Sequence, residues 1–145
     1  MVKTPIWKIP IQLEELNQYV QNTLCSHLGI EFSEVSDTHL SATMPIDART
    51  RQSMGILHGG ASCALAETVG SVAANCCLDP HQVAVGLEIN INHLRPIRGG
   101  VVTAVAHPFH LGKTTQVWEI KIYTPEKKLV AIARLTVAIL DKKKI

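Results

Sequence analysis

The chain has 145 residues, the size of one ordinary domain, and its hydrophobic fraction of 46% allows a substantial core and excludes a disordered segment. Aromatics make up only 4%, so that core must be built from Ala, Val, Ile and Leu. A net charge of +2, with no stretch that interleaves basic and aromatic residues, argues against a nucleic-acid surface.

The segment from Met1 to Lys8 has no apolar stretch followed by a cleavage site and so does not read as a secretion signal. Cys25, Cys63, Cys76 and Cys77 form no C-x-x-C pair, and reduced thiols in the cytoplasm are the expectation. Leu13, Leu16, Val20, Leu24 and Leu28 recur at three- and four-residue steps, predicting one amphipathic helix stopped by Gly29. A weaker strand follows from Ile30 to Ser36. A clearer one runs from His39 to Asp47, where Leu40, Ala42, Met44 and Ile46 alternate with polar or small residues.

The polar loop Ala48–Gly55 leads into His58-Gly59-Gly60 and an Ala-rich helix that runs to Leu78 and ends at Asp79-Pro80. Its small residues, such as Ala66, Gly70 and Ala73, let other backbone approach it from several sides. Glu67, Asn75, two Ser and a Thr make it a poor membrane span and a good buried helix. The rest reads as strands. Val83, Val85, Leu87, Ile89 and Ile91 share one face opposite Glu88, Asn90 and Asn92. The run Val101–Ala106 is apolar on both faces. Trp118, Ile120 and Ile122 oppose Glu119 and Lys121, and Leu129, Ala131, Ala133, Leu135, Val137 and Ile139 share a face. Lys142, Lys143 and Lys144 read as a solvated tail. Unbroken succession of strands favours antiparallel pairing, hence an α+β class with one domain over residues 1–145 and a sheet curled round the long helix.

Glu67 is the only formally charged side chain between Arg51 and Asp79. Inside an apolar helix it either turns to solvent, serves a core salt bridge, or stands at a cleft as a base or nucleophile. No Lys or Arg lies nearby in the helix to pair with it. His58-Gly59-Gly60 is either a glycine turn with an incidental histidine or an oxyanion site, since the first amides of a helix are unpaired and its positive end favours developing negative charge. Ser71 falls one turn after Glu67 on the same face, and Gln52 in the loop could hydrogen-bond a substrate carbonyl or water. Cys63, one turn before Glu67, could pair with His58 as a nucleophile but reads better as a small buried thiol. His107 and His110 sit three apart, which in a regular strand puts them on opposite faces; no metal and no cofactor are expected.

The segment Arg51-Gln52-Ser53-Met54-Gly55-Ile56-Leu57-His58-Gly59-Gly60-Ala61 with Leu65-Ala66-Glu67-Thr68 resembles the signature of hotdog-fold acyl-CoA thioesterases, in the branch acting on aromatic acyl-CoA and acyl-carrier-protein thioesters. That branch holds the menaquinone-pathway and enterobactin-proofreading thioesterases. Val85–Pro96 and His110–Trp118 resemble its later segments. The resemblance implies a hotdog fold and thioester hydrolysis. It makes Glu67 the nucleophile or general base and the Gly59 amide the group that polarises the carbonyl. Gln52 and His58 would position the thioester, and Ser71 would act from across a subunit interface. His93 would line the acyl end, while Arg95 and the Gly112-Lys113-Thr114 loop would meet the nucleotide of CoA. It further implies a homodimer with joined sheets, commonly paired into a homotetramer. A hotdog hydratase or a non-catalytic acyl-CoA sensor are the competing readings.

Overall fold

A sheet can wrap a helix only if the helix offers little bulk, and the alanines and glycines of the central segment meet that condition. In the computed structural model, which describes residues 4–145, this segment is one 18-residue helix, Gly59–Cys76. Ala66, Ala73, Ala74, Leu65 and Val69 along it are completely buried. A Cβ on Gly70 would come within 2.8 Å of Leu135 Cδ2 and 3.2 Å of Ile120 Cδ1, so the missing side chain lets the helix lie on the sheet.

Two short helices, α1 (Leu13–Tyr19) and α2 (Leu24–His27), come first, then strands β1 (Glu31–Val35) and β2 (Leu40–Pro45), and then the long helix α3 (Gly59–Cys76). Strands β3 (Gln82–His93), β4 (Val101–Leu111), β5 (Thr115–Tyr123) and β6 (Leu129–Asp141) follow. The sheet order is β1-β2-β4-β5-β6-β3, antiparallel throughout, and α3 packs across β2 to β6. This is the hotdog arrangement expected from the resemblance. Placing β3 beside β6 makes the 12-residue β3 an edge strand.

Three details depart from the periodicity. The single N-terminal helix is two: Asn22 takes a positive φ of 60°, and Thr23 then caps α2, its hydroxyl accepting from Cys25 N–H. Leu24 consequently lies 63% exposed outside the core. In β3, Leu87 is an extra residue between Gly86 and Glu88, a bulge that reverses the alternation. Ala84 and Gly86 face α3 before it and Ile89 and Ile91 pack inward after it, so Val83 and Val85 do not share their face. In β4, Phe109 is likewise extra, and its bulge accommodates Pro108. His107 then pairs with Glu119 and His110 with Val117, which brings both histidines to the outer face rather than to opposite faces. His107 stacks there on His39, centroids 4.8 Å apart, and burial pushes its pKa down. The terminal lysines form a short 3-10 helix, Lys142–Lys144, whose first ammonium donates to Pro80 O at 2.8 Å.

Filling the Gly70 gap tests the packing. Gly70→Val should destabilise the protein by about 2 kcal/mol or more, read as a lower midpoint of urea unfolding with an unchanged slope.

Candidate active site

The start of α3 is built by the loop before it. Leu57 N–H donates to Ile97 O at 2.7 Å, His58 N–H donates to Thr50 O at 2.8 Å, and Arg51 bridges to Leu57. His58 is the N-cap: its Nδ1 accepts from Gly60 N–H at 2.8 Å, so a neutral ring carries its proton on Nε2. Ser62 N–H donates to His58 O at 3.1 Å. The Gly59 amide is left without an acceptor among the described residues. A Cβ there would sit 2.8 Å from His93 Nε2, so glycine lets the His93 ring lie against the helix start.

Gln52 faces the same opening. Its backbone closes a turn, donating to Ile56 O at 2.9 Å and accepting from Gly55 N–H at 2.9 Å, and Gly55 takes a φ of 78° that favours glycine. The side-chain oxygen accepts from Met54 N–H, which orients the carboxamide and leaves its NH2 without an acceptor among the described residues. Gln52, Gly59, Ser62, His93 and Arg95 thus line one cleft of about 290 Å³.

Glu67 and Ser71 lie elsewhere, in a second and more apolar cleft of about 590 Å³ between α3 and the α1–α2 segment, walled by Tyr19, Val20, Leu24 and Val72. Of the positions its sequence allowed, Glu67 takes the one at a cleft, with its side chain exposed in the single chain. It reaches over β3: a Cβ on Gly86 would come 2.9 Å from Glu67 Oε1. Sequence reasoning missed two residues of this arrangement. Gly86, next to the β3 bulge, leaves room for the carboxylate. Asn75 ties the helix to β3 through its side chain, Nδ2 donating to Ala84 O at 3.3 Å and Oδ1 accepting from Ala84 N–H at 2.9 Å. Neither carries a pattern that periodicity could detect.

Glu67 is eight residues beyond Gly59, about 12 Å along the helix axis. A glutamate side chain cannot span that distance to a carbonyl held at the Gly59 amide of its own chain. Ser71 is farther still. The Gly112-Lys113-Thr114 hairpin is not joined to Arg95 either. It caps the far end of the 11-residue β4, about 35 Å from the Val101 end beside which Arg95 sits. Cys63 is ill suited to attack, because burial and the neighbouring Glu67 carboxylate push its thiol pKa up. All four cysteines are free thiols. Among the described residues no three metal-ligating side chains are grouped, and no helix is long and apolar enough to cross a membrane.

Substituting at the helix start probes this geometry. Gly59→Ala should keep the fold, since alanine suits a helix start, yet displace His93 and lower thioester turnover about a hundredfold. Circular dichroism with steady-state kinetics reads both effects.

Comparison with known proteins places this geometry. Residues 54–131 match the model of the thioesterase superfamily. The chain is 49% identical over 135 residues to 1,4-dihydroxy-2-naphthoyl-CoA hydrolase of Escherichia coli, covering 93% of this chain and 99% of that protein. The crystal structure of a thioesterase from Haemophilus influenzae superposes with a TM-score of 0.93 at 51% identity, covering 94% of this chain and 95% of the other. A thioesterase from Staphylococcus aureus, solved with a glutamine replaced by alanine, matches with a TM-score of 0.77 at 37% identity over 80% of this chain and 97% of its own. The same protein has also been solved with a glutamate, fifteen residues further on, replaced by alanine. The chain described here belongs to the thioesterase superfamily and is a thioester hydrolase.

Proposed function

We propose that the chain hydrolyses acyl-CoA thioesters in the cytoplasm, at sites shared between the two protomers of a homodimer. The observation that carries this reading is the unpartnered Gly59 amide, at the positive end of an 18-residue helix and open to the cleft of Gln52 and His93. A thioester carbonyl seated there meets a fixed donor where negative charge develops during attack. The Gln52 NH2 is the second donor facing that position, and His58, by capping Gly60, keeps the helix start in place.

The carboxylate comes from the partner protomer in this reading, because Glu67 of the same chain stands too far along the helix. The long edge of β3 supports association, since an unpaired edge invites a second strand, and a two-fold axis there would set two sheets side by side. Pairing of such dimers into a homotetramer is the further expectation. Glu67 then either attacks the carbonyl carbon, forming a mixed anhydride that water later cleaves, or takes a proton from a water held with Ser71. Both routes break the carbon–sulfur bond, release the thiol and form a free acid. The choice of Gln52 and Glu67 draws on the Staphylococcus protein, where the glutamine and glutamate selected for replacement share their fifteen-residue spacing. The coenzyme A portion draws on the name of the Escherichia coli relative. The apolar cleft beside Glu67 is open to an aromatic or broad range of acyl groups; His93, which stands in the Gly59 cleft, meets the acyl end only in the site shared between protomers, and an acyl-carrier-protein thioester presents the same reacting group.

Thiol release measured with a panel of acyl-CoAs, including benzoyl, naphthoyl and straight-chain members, tests the reading. Glu67→Ala should lower kcat by about a hundred- to ten-thousand-fold, and Glu67→Gln should lose turnover while still binding substrate. An unchanged kcat in either variant contradicts the role given to Glu67.

A further inference from the structure

We propose that the acyl group is a straight hydrocarbon chain of medium length, laid along α3 in an apolar trough that starts at Glu67 and runs past Tyr19 to the α3–β3 connection. This rests on the acyl-CoA reading above and names the class of acyl group that the same site takes. The cleft of about 590 Å³ that holds Glu67 does not end at Ser71. It shares Tyr19, Ser71 and Val72 with a further cleft of about 540 Å³, which continues past Asn75 and Cys76 to Leu78 and Val83. Ala64, Glu67, Ser71 and Asn75 recur at three- and four-residue steps, so one stripe of α3 forms the floor of both parts. Leu16, Tyr19, Val20 and Leu24 of the N-terminal segment form the facing wall.

The length of the trough sets the length of the chain. Cys76 is nine residues beyond Glu67, about 13 Å along the helix axis. An extended hydrocarbon advances about 1.25 Å per bond, from a bond of about 1.5 Å and an angle of about 111°, so about ten carbons fill that span. The far end is polar. Asp79 pairs there with Lys8 at 3.1 Å, and Lys142 Nζ donates to Pro80 O at 2.8 Å. A longer chain would press its terminal methyl against these groups, which ends the fit at about twelve carbons.

The walls offer an acyl group little to hydrogen-bond. Asn75 is committed to Ser71 O and to both backbone groups of Ala84. Gln82 Oε1 accepts from Asp79 N–H at 3.2 Å, and Cys25 Sγ lies 3.5 Å from Thr68 Oγ1. The apolar lining is in part left in water, with Tyr19 80% and Ile9 41% exposed. A methylene chain covers such surface along its whole length and gains at every carbon. A single aromatic ring would fill only the part beside Glu67 and leave the part beyond Val72 uncovered.

The test is a chain-length profile of thiol release, from butyryl-CoA to hexadecanoyl-CoA with benzoyl-CoA beside them, each kept below micelle-forming concentration. In the unmodified protein kcat/KM should rise about two- to fourfold per added methylene, peak at about eight to twelve carbons and exceed the benzoyl value at that peak. Val72→Phe narrows the trough where its two parts meet and should lower the decanoyl-to-butyryl ratio of kcat/KM about tenfold. Ile9→Asp puts a carboxylate on the exposed far wall, where the fold tolerates it. It should lower the same ratio about tenfold through decanoyl-CoA alone, with butyryl-CoA turned over as before. A flat profile, a benzoyl value above every straight-chain one, or an unaltered ratio in both variants overturns the trough. Failure of the unmodified protein to cleave any of these thioesters would instead remove the acyl-CoA reading on which it stands.

Discussion

One stiff helix fixes the spacing on which the site depends. Gly59 and Glu67 ride on α3, separated by about 12 Å along its axis, and no side-chain rotation closes that gap. The helix is in turn immobilised by the sheet, which contacts it from β2 to β6 through residues that are almost entirely buried. A donor at one end and a carboxylate two turns on are therefore held apart in each chain, and the shared site proposed above is the arrangement that would use both.

The two clefts of a single chain divide the chemistry in the same way. One has hydrogen-bond donors, as a thioester carbonyl requires. The other is walled mostly by apolar side chains and carries the acid. The isolated chain leaves the Glu67 carboxylate exposed, and an edge strand runs directly beneath it with Gly86 leaving room. Covering that edge with a second β3 would remove water from around the acid and strengthen its electrostatic effect on a nearby carbonyl.

Much of this was readable from residues alone, for definite reasons. A lone acid in an apolar run and a glycine pair before a helix are visible because they break local composition, and they marked Glu67 and Gly59. The alternation of β2, β5 and β6 is regular, so their inward faces were legible. The bulges at Leu87 and Phe109 were not, because an inserted residue changes parity without changing composition. That is why Val83 and Val85 were assigned to the wrong face and why His107 and His110 were separated. The break at Asn22 was hidden because Leu24 fits the helical period even though it does not reach the core. Asn75 and Gly86 act through contacts between distant elements, which no local pattern records. The same holds for the separation of the Gly112–Thr114 hairpin from Arg95, a matter of strand direction.

The most direct measurement of the shared site is complementation between two inactive forms. Glu67→Ala and Gln52→Ala proteins are unfolded together, refolded as a mixture and assayed for thiol release. A heterodimer then holds one site with both native residues, and activity should return to about a quarter of the unmodified level for random pairing. A mixture no more active than its two components would show that each chain completes its own site, and would contradict the account.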